Sequence, residues 1–445
     1  MSLLRRPLLG LLLITAVLGL STRVQAQGWL ADRERAEGPG FRVGNLELHP
    51  GFGAEMGYDS NVFMEEADLD QSAILRLTAH LMLSTLGTER SEEGETRTET
   101  PAHRSISFRG GLSASYYHFF LDRAQDNVDG DLSLNLTINP DGAFQVLLHE
   151  EFARTVRPFV DAGTPDGPGP NFARNTNTAG VLFSLRSRSE ILKGQLGYDL
   201  DYDFFEDDAF AYGNSLTHRV LGGMSWRFLP QTALVHETRL EFQSFTNTTA
   251  ASSLVLNGIR VNSTIGLNGA FTNTFSASLV LGYGAGFFGA GNDEYESIIG
   301  RAEARWRPKQ TLRFSLGYAR RYAPSFVGSF YLSDRVYATS QILMGGAFMV
   351  GGEASLSYDR TGDALQPDGT LLGNAENRED LRINLEVFGE YRFTNWLGFN
   401  ATLSYSGDVT NYEFNDMVVM GMSTVPDPGA AYHKFEAWLG ARVYY

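Results

Sequence analysis

The sequence predicts an all-β protein, a transmembrane antiparallel up-and-down β-barrel of the bacterial outer membrane with about 18 strands. Three observations lead there. Apolar residues recur at every second position over runs of nine to seventeen residues, the connectors between runs alternate in length, and the chain closes on an alternating segment that ends in tyrosine.

The closing segment, Ala431 to Tyr445, carries the pattern most cleanly. Phe435, Ala437, Leu439, Ala441, Val443 and Tyr445 fall on one face of an extended strand, and Lys434, Glu436, Trp438, Gly440, Arg442 and Tyr444 on the other. Successive side chains of a strand point to opposite sides, so one face is apolar throughout while the other carries ions. A terminal aromatic with no charged tail resembles the last strand of an outer-membrane barrel.

Residues 1–26 read as a targeting signal. Arg5 and Arg6 form a basic start, Leu8 to Leu20 an apolar core, and Val24-Gln25-Ala26 a small-residue cleavage site. No later stretch holds 18 continuous apolar residues, so no spanning helix is expected. Export without a helix leaves the periplasm, the exterior or an outer-membrane barrel. Residues 27–44 are charged and unpatterned, a short periplasmic lead-in, and residues 45–445 are assigned to the barrel, with outer-membrane lipid around it and both termini periplasmic.

The 445 residues include no cysteine, which removes disulfides, thiolate metal sites, a catalytic thiol and a lipidated N-terminus. A formal charge of −16 argues against nucleic acid as a partner. Abundant Gly, Tyr and Phe suit tapered strands and interfacial aromatic girdles.

Along the chain, clean alternation recurs in Leu312 to Ala319, Leu381 to Arg392 and Leu397 to Tyr405. A helix would scatter these apolar positions; period two gathers them. Short connectors carry turn residues: Asn139-Pro140-Asp141-Gly142, Leu229 to Thr232, Thr272 to Thr274, Pro308 to Gln310, Gly345-Gly346 and Thr394 to Trp396. Longer polar connectors lie between them, at Asp122 to Gly130, Pro158 to Ala173, Asn247 to Ser253, Arg360 to Asn377 and Asn411 to Ala430. Short turns at one end and long loops at the other are the layout of a single-chain barrel. Thr88 to His103 breaks the rule, being long and acidic where a short turn is due.

With one face to lipid, the charged face lines the interior, and a barrel of about 16 to 18 strands leaves an aqueous channel. Arg301, Glu303, Arg305, Arg313, Arg321, Arg382, Glu386, Arg392 and Arg442 are the candidate lining residues, with Glu237, Arg239, Glu241, Arg307 and Glu390 beside them. Guanidinium groups there would hold hydroxyl-rich or anionic solute through forked hydrogen bonds. Pairing of Arg with Glu across strands is the structural alternative.

Catalytic patterns fail. His149-Glu150-Glu151-Phe152-Ala153 begins like a zincin motif but has Ala where the second His belongs, and the eight histidines lack metal-ligand spacing. Asp126 to Asp131 is acidic but does not fit a Ca²⁺-binding EF-hand loop. No nucleotide-binding glycine pattern stands between a strand and a helix. No enzyme activity, cofactor or metal is expected.

The run Gly57-Tyr58-Asp59-Ser60-Asn61-Val62-Phe63 follows Pro50 to Met56. It resembles the opening signature of the β-barrel porin 2 family, with Tyr58, Asp59, Ser60 and Asn61 as the matching positions. The specific likeness covers about fifteen residues. It implies an outer-membrane pore that passively translocates an exopolysaccharide or capsular polysaccharide, delivered by a periplasmic polysaccharide-export protein. Read as residues, Tyr58 and Phe63 suit the membrane boundary, while Asp59, Ser60 and Asn61 can turn the chain through side-chain-to-backbone bonds. The alternative is a general or solute-selective diffusion porin for small hydrophilic molecules, whose expected mark is a long loop folded inward, with Pro158 to Ala173 as candidate. An adhesin or receptor would instead place function in the outer loops.

Overall fold

The computed structural model describes residues 40–67, 69–85, 105–122, 124, 126–156, 173–206, 211, 213–246, 257–288, 295–324, 330–361, 378–410 and 431–445. Nearly all of these are strand. In order they are β1 (Phe41–Val43), β2 (Leu46–Asp59), β3 (Ser72–Thr85), β4 (Ile106–Phe119), β5 (Asn127–Ile138), β6 (Phe144–Thr155), β7 (Arg174–Arg186), β8 (Leu192–Phe205), β9 (Ser215–Leu229) and β10 (Thr232–Phe245). Then come β11 (Gly258–Ala270), β12 (Phe275–Phe288), β13 (Tyr295–Lys309), β14 (Leu312–Pro324), β15 (Phe330–Met344), β16 (Phe348–Thr361), β17 (Glu379–Arg392), β18 (Leu397–Thr410) and β19 (Tyr432–Tyr444).

From β2 onward each strand pairs antiparallel with the next, and β19 returns to β2 in a register running from Glu436↔Asp59 to Tyr444↔Gly51. Eighteen strands therefore close on themselves, as a sheet in lipid must if every backbone group is to pair within the protein. Part of the expected lead-in is itself structured. Phe41–Val43 forms β1, which pairs Phe41↔Leu48 on the stretch of β2 that β19 leaves bare, and the Phe41 ring stacks on Tyr445 at 4.1 Å.

One end of the barrel, here the turn end, carries the short connectors. Gly345 and Gly346 take φ of 57° and 71° there, the left-handed values a tight primed turn requires and glycine supplies without strain. Two boundaries differ from the sequence reading. The turn after β13 is Gln310-Thr311, because Pro308 and Lys309 still belong to the strand. Asn127 to Gly130, read as loop from its turn-forming residues, begins β5, because pairing with β4 outweighs local preference.

The other end, the loop end, carries the longer connectors. The proposed loops at Asn247 to Ser253 and Asn411 to Ala430, and the acidic Thr88 to His103 connector, lie outside the described residues. So do Pro158 to Ala173 apart from Ala173, and Arg360 to Asn377 apart from Arg360 and Thr361, which end β16. β3 ends at Thr85 and β4 begins at Ile106, both at the turn end.

The outer face is apolar. Leu381, Leu385 and Val387 on β17, and Phe435, Leu439 and Val443 on β19, are exposed large hydrophobics, as period two predicts. Near the turn end this face carries Trp226, Phe228, Trp306, Tyr391, Trp396 and Tyr445.

Toward the loop end runs a second ring, built from a repeated clamp. An outward tyrosine on one strand bonds a polar group on or before the next. Tyr58 donates to Gln71 (2.6 Å), Tyr116 to Asp126 (2.5 Å), Tyr283 to Glu296 (2.5 Å) and Tyr318 to Asp334 (2.5 Å). Tyr198 and Tyr405 meet His218 and His433, each at 2.7 Å, and Tyr358 bonds Glu379. Two aromatic rings bounding an apolar band are what a membrane-spanning barrel needs at its two water interfaces.

Candidate channel lining

Every candidate lining residue stands on the inward face. On β13 the outward positions are Glu296, Ile298, Gly300, Ala302, Ala304 and Trp306, so Arg301, Glu303, Arg305 and Arg307 point inward. By the same alternation Arg313 and Arg321 on β14, Arg382, Glu386, Glu390 and Arg392 on β17, and Arg442 on β19 face the lumen. Many pair along one strand rather than across strands. Glu303 accepts from both Arg301 and Arg305, two residues away on either side, and from Tyr337. Arg392 Nε meets Glu390 at 2.9 Å, Arg442 reaches the same carboxylate at 3.2 Å, and the Tyr444 ring lies 4.9 Å from each of these two guanidiniums.

Charge is unevenly shared round the wall. β13, β14 and β15 turn six arginines inward (Arg301, Arg305, Arg307, Arg313, Arg321 and Arg335) against one carboxylate, Glu303. Across the barrel, β5 to β8 turn in Asp129, Asp131, Glu151, Asp199, Asp201 and Asp203, opposed by Arg174, Arg186, Lys193 and His149. Arg219 on β9 bridges toward that side, 2.7 Å from Asp201 and 3.0 Å from Glu241, and Arg260 holds Glu241 at 2.9 Å. Near the loop end Arg378, Asp380, Arg382 and Asp408 form a buried cluster, with Arg378 to Asp380 at 2.8 Å and Arg382 to Asp408 at 3.3 Å. Glu386 stands directly opposite Glu353, and Arg335 holds Glu353 at 2.6 Å.

The lumen is filled along one side. The β2–β3 connector turns inward: Val62, Phe63 and Met64 are each 7–8% exposed, and Val62 and Phe63 join Ile74, Tyr117, Phe119 and Trp438 in one apolar cluster. Beneath it Arg76 stacks on Trp438 at 4.2 Å and meets Glu55 at 2.5 Å, and Asn400 Nδ2 donates to Glu55 at 2.5 Å. Gly440 makes this layer possible, since a Cβ there would come within 2.2 Å of the Glu55 side chain. Phe63 therefore does not sit at the membrane boundary, as its sequence position suggested; its ring is buried inside the barrel, where more apolar area leaves water.

Tyr58 does stand at the boundary, in the tyrosine ring. Asp59, Ser60 and Asn61 turn the chain as expected, and they also clasp β19. Asp59 accepts from Asn61 N (3.0 Å) and meets Lys434 at 2.7 Å, while Ser60 Oγ accepts from Phe435 N at 2.8 Å. Asn61 Nδ2 donates to the carbonyls of Glu65 (2.7 Å) and His433 (3.1 Å), and its Oδ1 accepts from Glu65 N (2.9 Å).

The remaining motif-like stretches are parts of the wall. His149 faces inward, 3.2 Å from Asp199, while Glu150 faces outward, so the zincin-like pair is split across the sheet. In Asp126 to Asp131, Asp126 bonds Tyr116 and His118, Asp129 accepts from Val156 N, and Asp131 accepts from Ser113. Among the described residues no three His, Asp or Glu side chains are grouped to hold a metal.

No family model matches the chain, and no curated protein matches it. Among solved structures, OccAB4 of Acinetobacter baumannii aligns with 89% of this chain and 98% of its own at 9% identity and a TM-score of 0.45. The outer membrane protein opdK of Pseudomonas aeruginosa aligns over 89% and 99%, at 11% identity and 0.45. The siderophore receptor PirA of the same organism aligns over 89% and 80%, at 11% identity and 0.40.

Proposed function

We propose that this protein is an outer-membrane channel through which small hydrophilic solutes diffuse passively, with both termini in the periplasm. The observation that carries the reading is the inward fold of the β2–β3 connector onto Ile74, Tyr117, Phe119 and Trp438. A wide polymer conduit has no use for an apolar cluster occupying its bore. A solute-selective pore does, because narrowing brings the solute within reach of the charged wall. An inward loop was the expected mark of such a porin; among the described residues the first loop turns inward, while the candidate Pro158 to Ala173 lies outside them apart from Ala173.

The arginines of β13 to β15 supply the other requirement. Guanidinium groups offer fixed forks of donors to carboxylate, phosphate or hydroxyl groups, and the neighbouring Glu303 competes for them, so contacts stay weak and exchangeable. The rival reading, a polysaccharide conduit fed by a periplasmic polysaccharide-export protein, rests on the resemblance at Tyr58 to Asn61. Those side chains serve barrel closure here, which leaves the resemblance without a solute-binding role.

Purified protein in planar bilayers and in solute-loaded liposomes tests the proposal. Steady single-channel current with a permeability that falls steeply as sugar size grows is expected. A pore that passes long oligosaccharides as readily as monosaccharides would overturn it, as would loss of surface polysaccharide with unchanged solute uptake in a deletion strain.

A further inference from the structure

Two seams of the outer wall depart from the lipid-facing pattern. On the first, Glu150 of β6 points outward and accepts a hydrogen bond from Asn177 Nδ2 of β7 at 2.9 Å. On the second, His236 and Thr238 of β10 point outward beside Ser263 of β11. The Thr238 hydroxyl lies 3.2 Å from His236 Nε2 and 2.9 Å from Ser263 Oγ. β6 and β10 are also the two even-numbered strands with no tyrosine in their sequence, so neither contributes to the clamp ring.

Both seams sit at one depth. Glu150 is six residues beyond Phe144, the first of β6, and Thr238 is six beyond Thr232, the first of β10. A strand rising about 3.3 Å per residue at a tilt of about 40° gains about 2.5 Å of height per residue. Each group thus stands about 15 Å above the turn end, near the middle of an apolar band about 25 Å tall.

We propose that these seams meet in a closed ring of copies of this chain. The Glu150–Asn177 seam of one copy would face the His236–Thr238–Ser263 seam of the next. Acyl chains offer a carboxylate no donor at that depth, whereas an imidazole and two hydroxyls do. A ring about the membrane normal keeps every copy at the same depth, so mating patches have to share a height, as these do. The seams lie four strands apart among eighteen, about 80° round the wall. A head-to-tail ring of three requires about 60° between its two contact surfaces and a ring of four about 90°. A two-fold dimer through the first seam would instead set two carboxylates face to face.

The test uses the full-length protein in lipid nanodiscs, with native mass spectrometry of the unaltered chain. Because the sequence has no cysteine, the double variant Glu150→Cys/His236→Cys reports the contact directly. Disulfide-linked species of three or four copies are expected from the double variant and not from either single one, and unaltered protein should show the same mass. Glu150→Leu should release monomers whose single-pore conductance is unchanged. A monomeric unaltered protein, dimers linked through Glu150→Cys alone, or a ring that survives Glu150→Leu would each overturn the proposal.

Discussion

Lys434 of the closing strand holds its ammonium 2.7 Å from the carboxylate of Asp59 at the end of β2, with the two side chains 4% and 0% exposed. This ion pair joins the barrel's first and last long strands and, through the bond from Asn61 N to Asp59, also sets the course of the inward connector.

Asp59→Ala leaves Lys434 buried beside a lost counter-charge. Breaking a buried pair by removing one partner costs about 3–5 kcal/mol. The expected outcome is a lower unfolding midpoint in urea, read by the heat-dependent gel shift of the barrel, with Asp59→Asn between the two. An unchanged midpoint would mean that the seam does not depend on this pair.

Phe63→Ala removes the largest side chain that the connector buries. Deleting a buried phenylalanine side chain costs about 3–5 kcal/mol, enough to loosen the connector while the strands stay paired. Single-channel conductance should rise and open-channel noise increase. Equal conductance would show that the connector does not narrow the path.

Arg307→Glu with Arg313→Glu reverses two charges on the arginine wall. The reversal potential across a salt gradient should move toward cations, and Asp131→Asn with Asp199→Asn should move it toward anions. Both shifts should shrink as salt rises, because the screening length is about 10 Å at 0.1 M and about 3 Å at 1 M. Salt-independent or same-direction shifts would separate the wall charges from selectivity.

Glu206, just beyond β8, is held down to about 2 by hydrogen bonds from Arg154 and Asn175, with Arg154 at 2.7 Å. A carboxylate whose folded value lies below its unfolded one stabilises the fold above its ordinary range, near 4.5, and loses that contribution as pH falls through about 2. The gap in thermal stability between unaltered protein and Glu206→Gln should be constant above about pH 5, shrink below it, and vanish near about pH 2. A gap that persists at pH 2 would assign it to something other than ionisation.

Much of this barrel was legible from one regularity. The alternation in Leu381 to Arg392 placed each side chain of β17 on its observed face, because a lipid-facing sheet makes period two a physical requirement. What misled was local chemistry. Asn127 to Gly130 looks like a turn, and Val62-Phe63-Met64 has no periodicity to betray burial. The site's assembly was illegible for a different reason. Glu55 to Asn400 and Asn61 to His433 are contacts across more than 340 residues, and nothing in either local sequence names its partner. Likewise Arg301–Glu303–Arg305 could be placed inward from spacing, but not recognised as a triad sharing one carboxylate.

The register of β19 on β2 bears on biogenesis. Ser60 finds Phe435 at a separation of 375 positions, so in a growing chain β2 pairs early with β3 but its opposite edge lacks β19 until nearly all the rest has been made. Until then both terminal strands offer raw edges to any extended neighbour, an invitation to aggregate. Safe delivery therefore calls for escorts that cover those edges, and a chain cut short before β19 should accumulate as protease-sensitive debris rather than as a smaller barrel.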